Sequence, residues 1–131
     1  MKHFAAIIFD MDGLLLDTER IGLSAFLETC THLNLPLLEE VFIRCLGTNE
    51  SRGRELLEDG LHGEVDHLAF LEMWDRFLKR AMDKPIPLKE GAVELLNHIS
   101  AIQIPVAVAT STRLEPARNC TRQGSWIDSL R

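Results

Sequence analysis

Two short apolar runs, each stopped abruptly by polar residues, bound what this chain can fold into. The first, residues 4–9 (FAAIIF), halts at Asp10-Met11-Asp12-Gly13. The second, residues 104–109 (IPVAVA), halts at Thr110-Ser111. Short continuous apolar runs of this kind suit strands buried on both faces, as in a parallel sheet flanked by helices. Pro105 is tolerable only at the start of such a strand, because it has no N–H to give to the ladder.

Between the runs the period changes from strand to helix. Leu23, Phe26, Leu27, Cys30 and Leu33 recur at three- and four-residue steps, which predicts a helix over 18–35, closed by Asn34 and Pro36. A second helix is expected over 38–46 with Gly47 as its stop. Asn49 or Ser51 can cap a third, running through Leu57. A fourth, over 65–82, carries Leu68, Leu71, Trp74, Phe77, Leu78 and Ala81 along one stripe. Pro85 and Pro87 then break the pattern. Residues 91–100 form one more helix, with Ala92, Leu95, Leu96 and Ile99 inward. The simplest architecture is α/β, a partial Rossmann-like parallel sheet core with an inserted all-helical cap domain. The core takes residues 1–15 and 88–131, and the cap takes 16–87.

The 131 residues, 46% apolar and 26% charged, are those of one globular domain with an insertion. A formal net charge of −6 argues against a nucleic-acid or anionic-membrane binder. An anionic small substrate stays open, since a metal or a helix terminus inverts the field locally. Three cysteines, Cys30, Cys45 and Cys120, show no ligand spacing and read as free thiols of a reducing compartment. The five histidines, His3, His32, His62, His67 and His98, are scattered without ligand spacing. The leading apolar run is too short for a secretion signal, and no stretch approaches the ~18 apolar residues of a membrane span. A cytoplasmic location is expected.

Side chains alternate along a strand, so Asp10 and Asp12 leave the C-terminal end of the first strand on one side. Gly13 lets the backbone turn sharply behind them and is itself a candidate phosphate-binding position. In open α/β sheets ligands bind beyond the carboxyl ends of the strands, which is where both acids stand. Carboxylates so close repel, and a cation or a shared proton relieves them. Mg²⁺, bound through one or two carboxylates and the phosphate oxygens of a substrate, meets that need. One acid can then attack phosphorus while its neighbour moves a proton. Thr110 offers a hydroxyl, and the backbone N–H groups around Thr110 and Ser111 suit a phosphate. A calcium-binding EF-hand also begins Asp-x-Asp, but it needs Glu at the twelfth position, where this chain has Ile21.

FDMDGLLLDTE (residues 9–19) resembles the first motif of the haloacid dehalogenase-like hydrolase superfamily, and AVATST (residues 107–112) resembles its second. The layout over residues 1–118, with a helical cap between the motifs and PLKEGAVELL ahead of the second strand, is similar to the β-phosphoglucomutase and phosphoglycolate phosphatase-like subgroup. The resemblance implies that Asp10 is a nucleophile forming an aspartyl-phosphate and that Asp12 is the general acid/base. It implies that Thr110 binds the transferring phosphoryl group, and that Asp10 with the backbone carbonyl of Asp12 contacts Mg²⁺. Arg44 and the Gly47-Thr48-Asn49 turn are the cap's candidates for covering the substrate, a small phosphorylated metabolite. A monomer is implied. Water as acceptor gives a phosphatase and a second substrate hydroxyl gives a phosphomutase; the sequence leaves both open, along with a catalytically inert binding fragment.

The chain departs from that pattern after its second motif. The superfamily carries a later lysine and a later pair of aspartates; here no lysine follows Lys89, and the remaining acids, Glu115 and Asp128, lie in no such motif. Low turnover, a bare sheet flank, poor solubility or need of a partner are therefore expected. Residues 119–131 (NCTRQGSWIDSLR) also lack the family's amphipathic helix. Back-translated and read one nucleotide early from the Arg118 codon, they admit Lys-Leu-His-Ala-Ala-Gly-Leu-Leu-Asp-Arg-Phe, a family-like ending. A frameshift near Arg118 is the expectation, and the nucleotide sequence beyond that codon tests it.

Overall fold

The structure, a computed structural model, describes residues 4–110. The chain divides into two compact units, Met1–Glu19 with Pro85–Arg131, and Arg20–Lys84.

In the first unit, β1 (Ile7–Asp10) and β2 (Val106–Ala109) pair in parallel, with Ile7 opposite Val106 and Asp10 opposite Ala109. The Ile7 N–H donates to the Pro105 carbonyl at 2.9 Å, so Pro105 serves the ladder as an acceptor only. A parallel pair needs a long crossover, and the intervening helices supply it.

Each strand is shorter than its apolar run, and β1 is not buried on both faces as the run suggested. Phe9 and Met11 are buried, whereas Ile8 is 71% exposed. The physical reason is the size of the sheet. Among the described residues it has two strands, and none of them covers the Ile8 side.

Beyond β1 the chain makes a compact turn. Gly13 adopts a left-handed φ of +73°, which a side chain would oppose. Its N–H donates to the Leu16 carbonyl at 2.9 Å and to the Thr18 hydroxyl at 3.1 Å. The Asp17 N–H donates to the Pro87 carbonyl and the Lys89 N–H to the Leu15 carbonyl, both at 2.9 Å. Lys89 Nζ adds an ion pair to Asp17 Oδ1 at 3.3 Å. The turn and the segment before the last helix are thus stitched together. That helix (Ala92–Ala101) buries Ala92, Leu96 and Ile99 but leaves Leu95 exposed, contrary to its expected inward position.

The second unit is all helical: most of α1 (Thr18–His32), with α2 (Glu39–Cys45), α3 (Glu50–Leu61) and α4 (His67–Met82); the helix Ala92–Ala101 of the first unit is α5. Its core gathers Phe26, Cys30, Val41, Phe42, Leu57, Leu61 and Phe70. Phe26 is the hub, with ring centroids 5.5 Å from Phe42, 5.0 Å from Phe70 and 5.2 Å from Trp74.

Local chemistry sets the helix ends. The Asn49 side chain accepts from the Arg52 N–H at 2.9 Å, and that of Asp66 accepts from the Ala69 N–H at 3.1 Å. Each such cap contributes about 1 kcal/mol. On α4 the buried stripe runs through Phe70 and Phe77, while Leu68 is exposed. Leu68 lies two positions from Phe70, about 200° around the helix, so the two cannot share a face. No helix among the described residues is long and apolar enough to cross a membrane.

Candidate functional site

Burial alternates along the end of the first strand: Phe9 and Met11 point inward, while Asp10 is exposed and Asp12 half-buried. The strand period thus puts the two carboxylates on the accessible side. Asp10 Oδ1 accepts the Met11 N–H at 2.8 Å, which holds the first carboxylate against the strand end. Asp10 sits opposite Ala109 in the ladder, so Thr110 follows directly beside the aspartate segment. The Thr110 hydroxyl donates to Asp12 Oδ2 at 3.1 Å. Residues 98 positions apart in sequence are therefore joined at the carboxyl ends of both strands.

Gly13, expected beside a phosphate, acts here through its conformation, since its N–H already bonds inward to Leu16 and Thr18. A Cβ built there would lie 2.7 Å from Glu19 Oε1. Thr18 and Glu19, the first two residues of α1, are parts of this turn that the sequence reading passed over. Their signal was their place in the first turn of a helix, where a hydroxyl or a carboxylate meets backbone N–H groups. Ser111 lies outside the described residues.

Arg44 and Thr48 belong to the helical unit. Arg44, in the last turn of α2, is exposed, with Nη2 3.9 Å from Asp59 Oδ2. At that separation between exposed groups the pair contributes little. The Thr48 hydroxyl donates to the Cys45 carbonyl at 2.7 Å, closing the end of α2. Thr48 also borders a cavity of about 300 Å³ whose lining includes the aromatic rings of Phe26 and Trp74 and the polar residues Asn49 and Arg54. Burial pushes the Cys45 thiol up from its ordinary range, against a smaller opposing influence of Arg44.

Among the described residues no group of three or more His, Cys, Asp or Glu side chains converges. What Asp10 and Asp12 provide is one or two carboxylates, the number Mg²⁺ takes from a protein when phosphate and water fill its remaining positions. The residues present fit the ion as part of a site.

Residues 7–130 match the haloacid dehalogenase-like hydrolase family. A phosphorylated carbohydrates phosphatase of Thermotoga maritima is 30% identical over 107 residues, which is 82% of this chain and 50% of that protein. A solved Thermotoga maritima structure, provisionally designated a β-phosphoglucomutase, is 27% identical with a TM-score of 0.70; the match covers 97% of this chain and 59% of that one. A family hydrolase from Deinococcus radiodurans R1, solved with bound phosphate and sodium, is 22% identical with a TM-score of 0.77, covering 98% of this chain and 56% of that one. The chain spans about half the length of the curated relative it matches. With the strand-end aspartates, the threonine bonded to Asp12 and a match along nearly the whole sequence, this chain belongs to the haloacid dehalogenase-like hydrolase family.

Proposed function

We propose that the strand-end site hydrolyses phosphomonoesters of small metabolites, of the phosphorylated carbohydrate class, in the cytoplasm. The observation that carries this reading is the Thr110 to Asp12 hydrogen bond, which brings a hydroxyl donor to the accessible aspartate segment. The curated relative's description as a phosphorylated carbohydrates phosphatase supports the substrate class.

The chemistry divides between the two acids. Asp10 attacks phosphorus, and the bond from phosphorus to the leaving alcohol oxygen breaks as Asp12 gives that oxygen a proton. Asp12 then takes a proton from water, whose oxygen attacks the aspartyl-phosphate; the bond to Asp10 breaks and inorganic phosphate leaves. Thr110 and Ser111 hold phosphoryl oxygens. Mg²⁺, held by the Asp10 carboxylate and the Asp12 carbonyl, would supply neutralisation of the charge on the phosphoryl oxygens.

Turnover by this chain alone is low in this reading. Among the described residues no third carboxylate converges on Asp10 and Asp12, and Lys89, the last lysine of the sequence, is paired with Asp17.

The test is release of inorganic phosphate from an aryl phosphate and from a panel of sugar phosphates, in Mg²⁺. The wild-type chain should release phosphate at a rate that Asp10→Asn abolishes. Equal rates for the two proteins would refute the reading. The likeness to the provisionally designated β-phosphoglucomutase favours a second reading, phosphoryl transfer to a sugar hydroxyl. It requires a sugar bisphosphate to form without net phosphate release.

A further inference from the structure

The cavity of about 300 Å³ lies wholly within the helical unit, with walls from all four of its helices and from the turn between α2 and α3. That volume is enough for a small molecule. Phe26, Leu57, Leu71 and Trp74 supply aromatic and aliphatic surface. Phe26 and Leu57 are buried, whereas Leu71 and Trp74 are only half-buried, so apolar area beside the core stays unfilled.

The polar groups of the lining are engaged with the chain itself. The Cys45 thiol donates to the Gly53 carbonyl at 3.5 Å, and the Thr48 hydroxyl donates to the Cys45 carbonyl at 2.7 Å. The Asn49 side chain accepts from the Arg52 N–H at 2.9 Å, and the Trp74 indole N–H donates to the Gly22 carbonyl at 3.2 Å. Arg54 Nη2 donates to Glu50 Oε1 at 3.1 Å, so an anion reaching Arg54 would also meet a carboxylate. Ordered water in such a space needs about two to four polar partners. What the lining offers is apolar contact, and a dry apolar cavity of about 150 Å³ already holds a benzene ring.

Gly53 is an independent sign of open space. It lies inside α3, where glycine is the poorest helix former after proline. Its φ is not in the left-handed region, and a Cβ built there would meet only the Thr48 hydroxyl oxygen, at 3.2 Å. Neither backbone conformation nor a close helix crossing calls for a glycine at this wall of the cavity.

We propose that the cavity is a binding site for a neutral apolar ring compound, separate from the strand-end site. The ring packs against Phe26 and Trp74 and fills the space that Gly53 leaves open. The site belongs to the helical unit alone and does not depend on whether the aspartates turn over phosphate.

The experiment uses the full 131-residue chain, labelled with nitrogen-15. It is titrated with toluene, and separately with benzoate, while the Trp74 indole N–H signal is followed, assigned by comparison with Trp126→Phe. Toluene should shift that signal with a dissociation constant of about 1 mM or tighter. Benzoate, the same ring carrying a charge, should bind at least about tenfold more weakly. Gly53→Leu fills the wall with a better helix former, so it should keep its far-ultraviolet circular dichroism and bind toluene about tenfold or more weakly. Leu71→Trp, which adds bulk from α4, should weaken binding likewise, and Asp10→Asn should bind like the wild type.

No shift with toluene near its solubility limit would overturn the proposal. Binding undiminished in both filling variants, or lost in Asp10→Asn, would put the ligand elsewhere and overturn it too. Benzoate binding as tightly as toluene would refute the neutral ligand class and mark an anion site at Arg54.

Discussion

Thr110 and Asp12, residues at the ends of β2 and β1, are joined by a 3.1 Å hydrogen bond from the threonine hydroxyl to Oδ2 of the aspartate. A hydroxyl has one proton to give, so the group that orients Asp12 here is the group that would serve a phosphoryl oxygen. Thr110→Val removes it for both acceptors, and hydrogen bonds to charged groups are worth about 1.5–3 kcal/mol. Asp10-dependent phosphate release should fall roughly ten- to a hundredfold in kcat/KM, and Thr110→Ser should restore most of it. A valine variant as active as the wild type would remove Thr110 from the site.

In the helical unit α2 crosses α3 at Gly60. A Cβ built there would stand 2.5 Å from Val41 Cγ2 and 2.7 Å from Cγ1. Valine is stiff at χ1 and cannot swing aside, so relief requires the helices to part. Gly60→Ala should lower stability by about 1–3 kcal/mol in urea unfolding, although alanine is the better helix former. Pairing it with Val41→Ala should give a loss smaller than the sum of the single variants.

What was legible in the sequence was whatever local chemistry decides. The Phe26–Cys30 stripe, the Asn49 cap and the strand ends at Asp10 and Ala109 follow from period, capping and apolar runs, and the structure has them. Ile8 and Leu95 were misread because their burial depends on what lies over them, and an apolar run says nothing about cover. Phe70 was missed, and Leu68 chosen, because a stripe traced from the wrong starting residue includes its neighbour on the opposite face. The contact of Thr110 with Asp12 could be anticipated only as two strand ends side by side. The stitching of Asp17 to Lys89 had no local signal, since the partners are distant in sequence and ordinary in type. Arg44 and Thr48 were chosen by resemblance; the structure puts them in the helical unit, where each has a partner of its own.

The Asp17–Lys89 ion pair joins a mostly buried carboxylate to a partly exposed ammonium group at 3.3 Å. With the ammonium in contact with solvent, the pair is worth less than a buried one and is screened by salt. Lys89→Met keeps the aliphatic stem and removes the charge. It should lower stability by about 0.5–1 kcal/mol at low ionic strength, and by less as salt is added, read from urea midpoints in each buffer. A loss independent of salt would mean that Lys89 acts through packing alone.

Cys30 is fully buried in the helical core, and burial pushes its thiol above the ordinary value of 9.0. A group whose folded pKa is raised stabilises the fold while pH lies below the unfolded value. The benefit is lost as pH rises toward the folded value, because the unfolded chain releases its proton first. The chain has no tyrosine, so between about pH 8 and pH 10 thiols dominate this titration. Stability should be nearly level from about pH 7 to pH 8 and should fall toward pH 10. Cys30→Ala should cost about 1 kcal/mol at neutral pH through lost packing, yet fall less steeply above pH 8. Urea midpoints at several pH values measure both slopes, and parallel curves for the two proteins would show that Cys30 is not the group responsible.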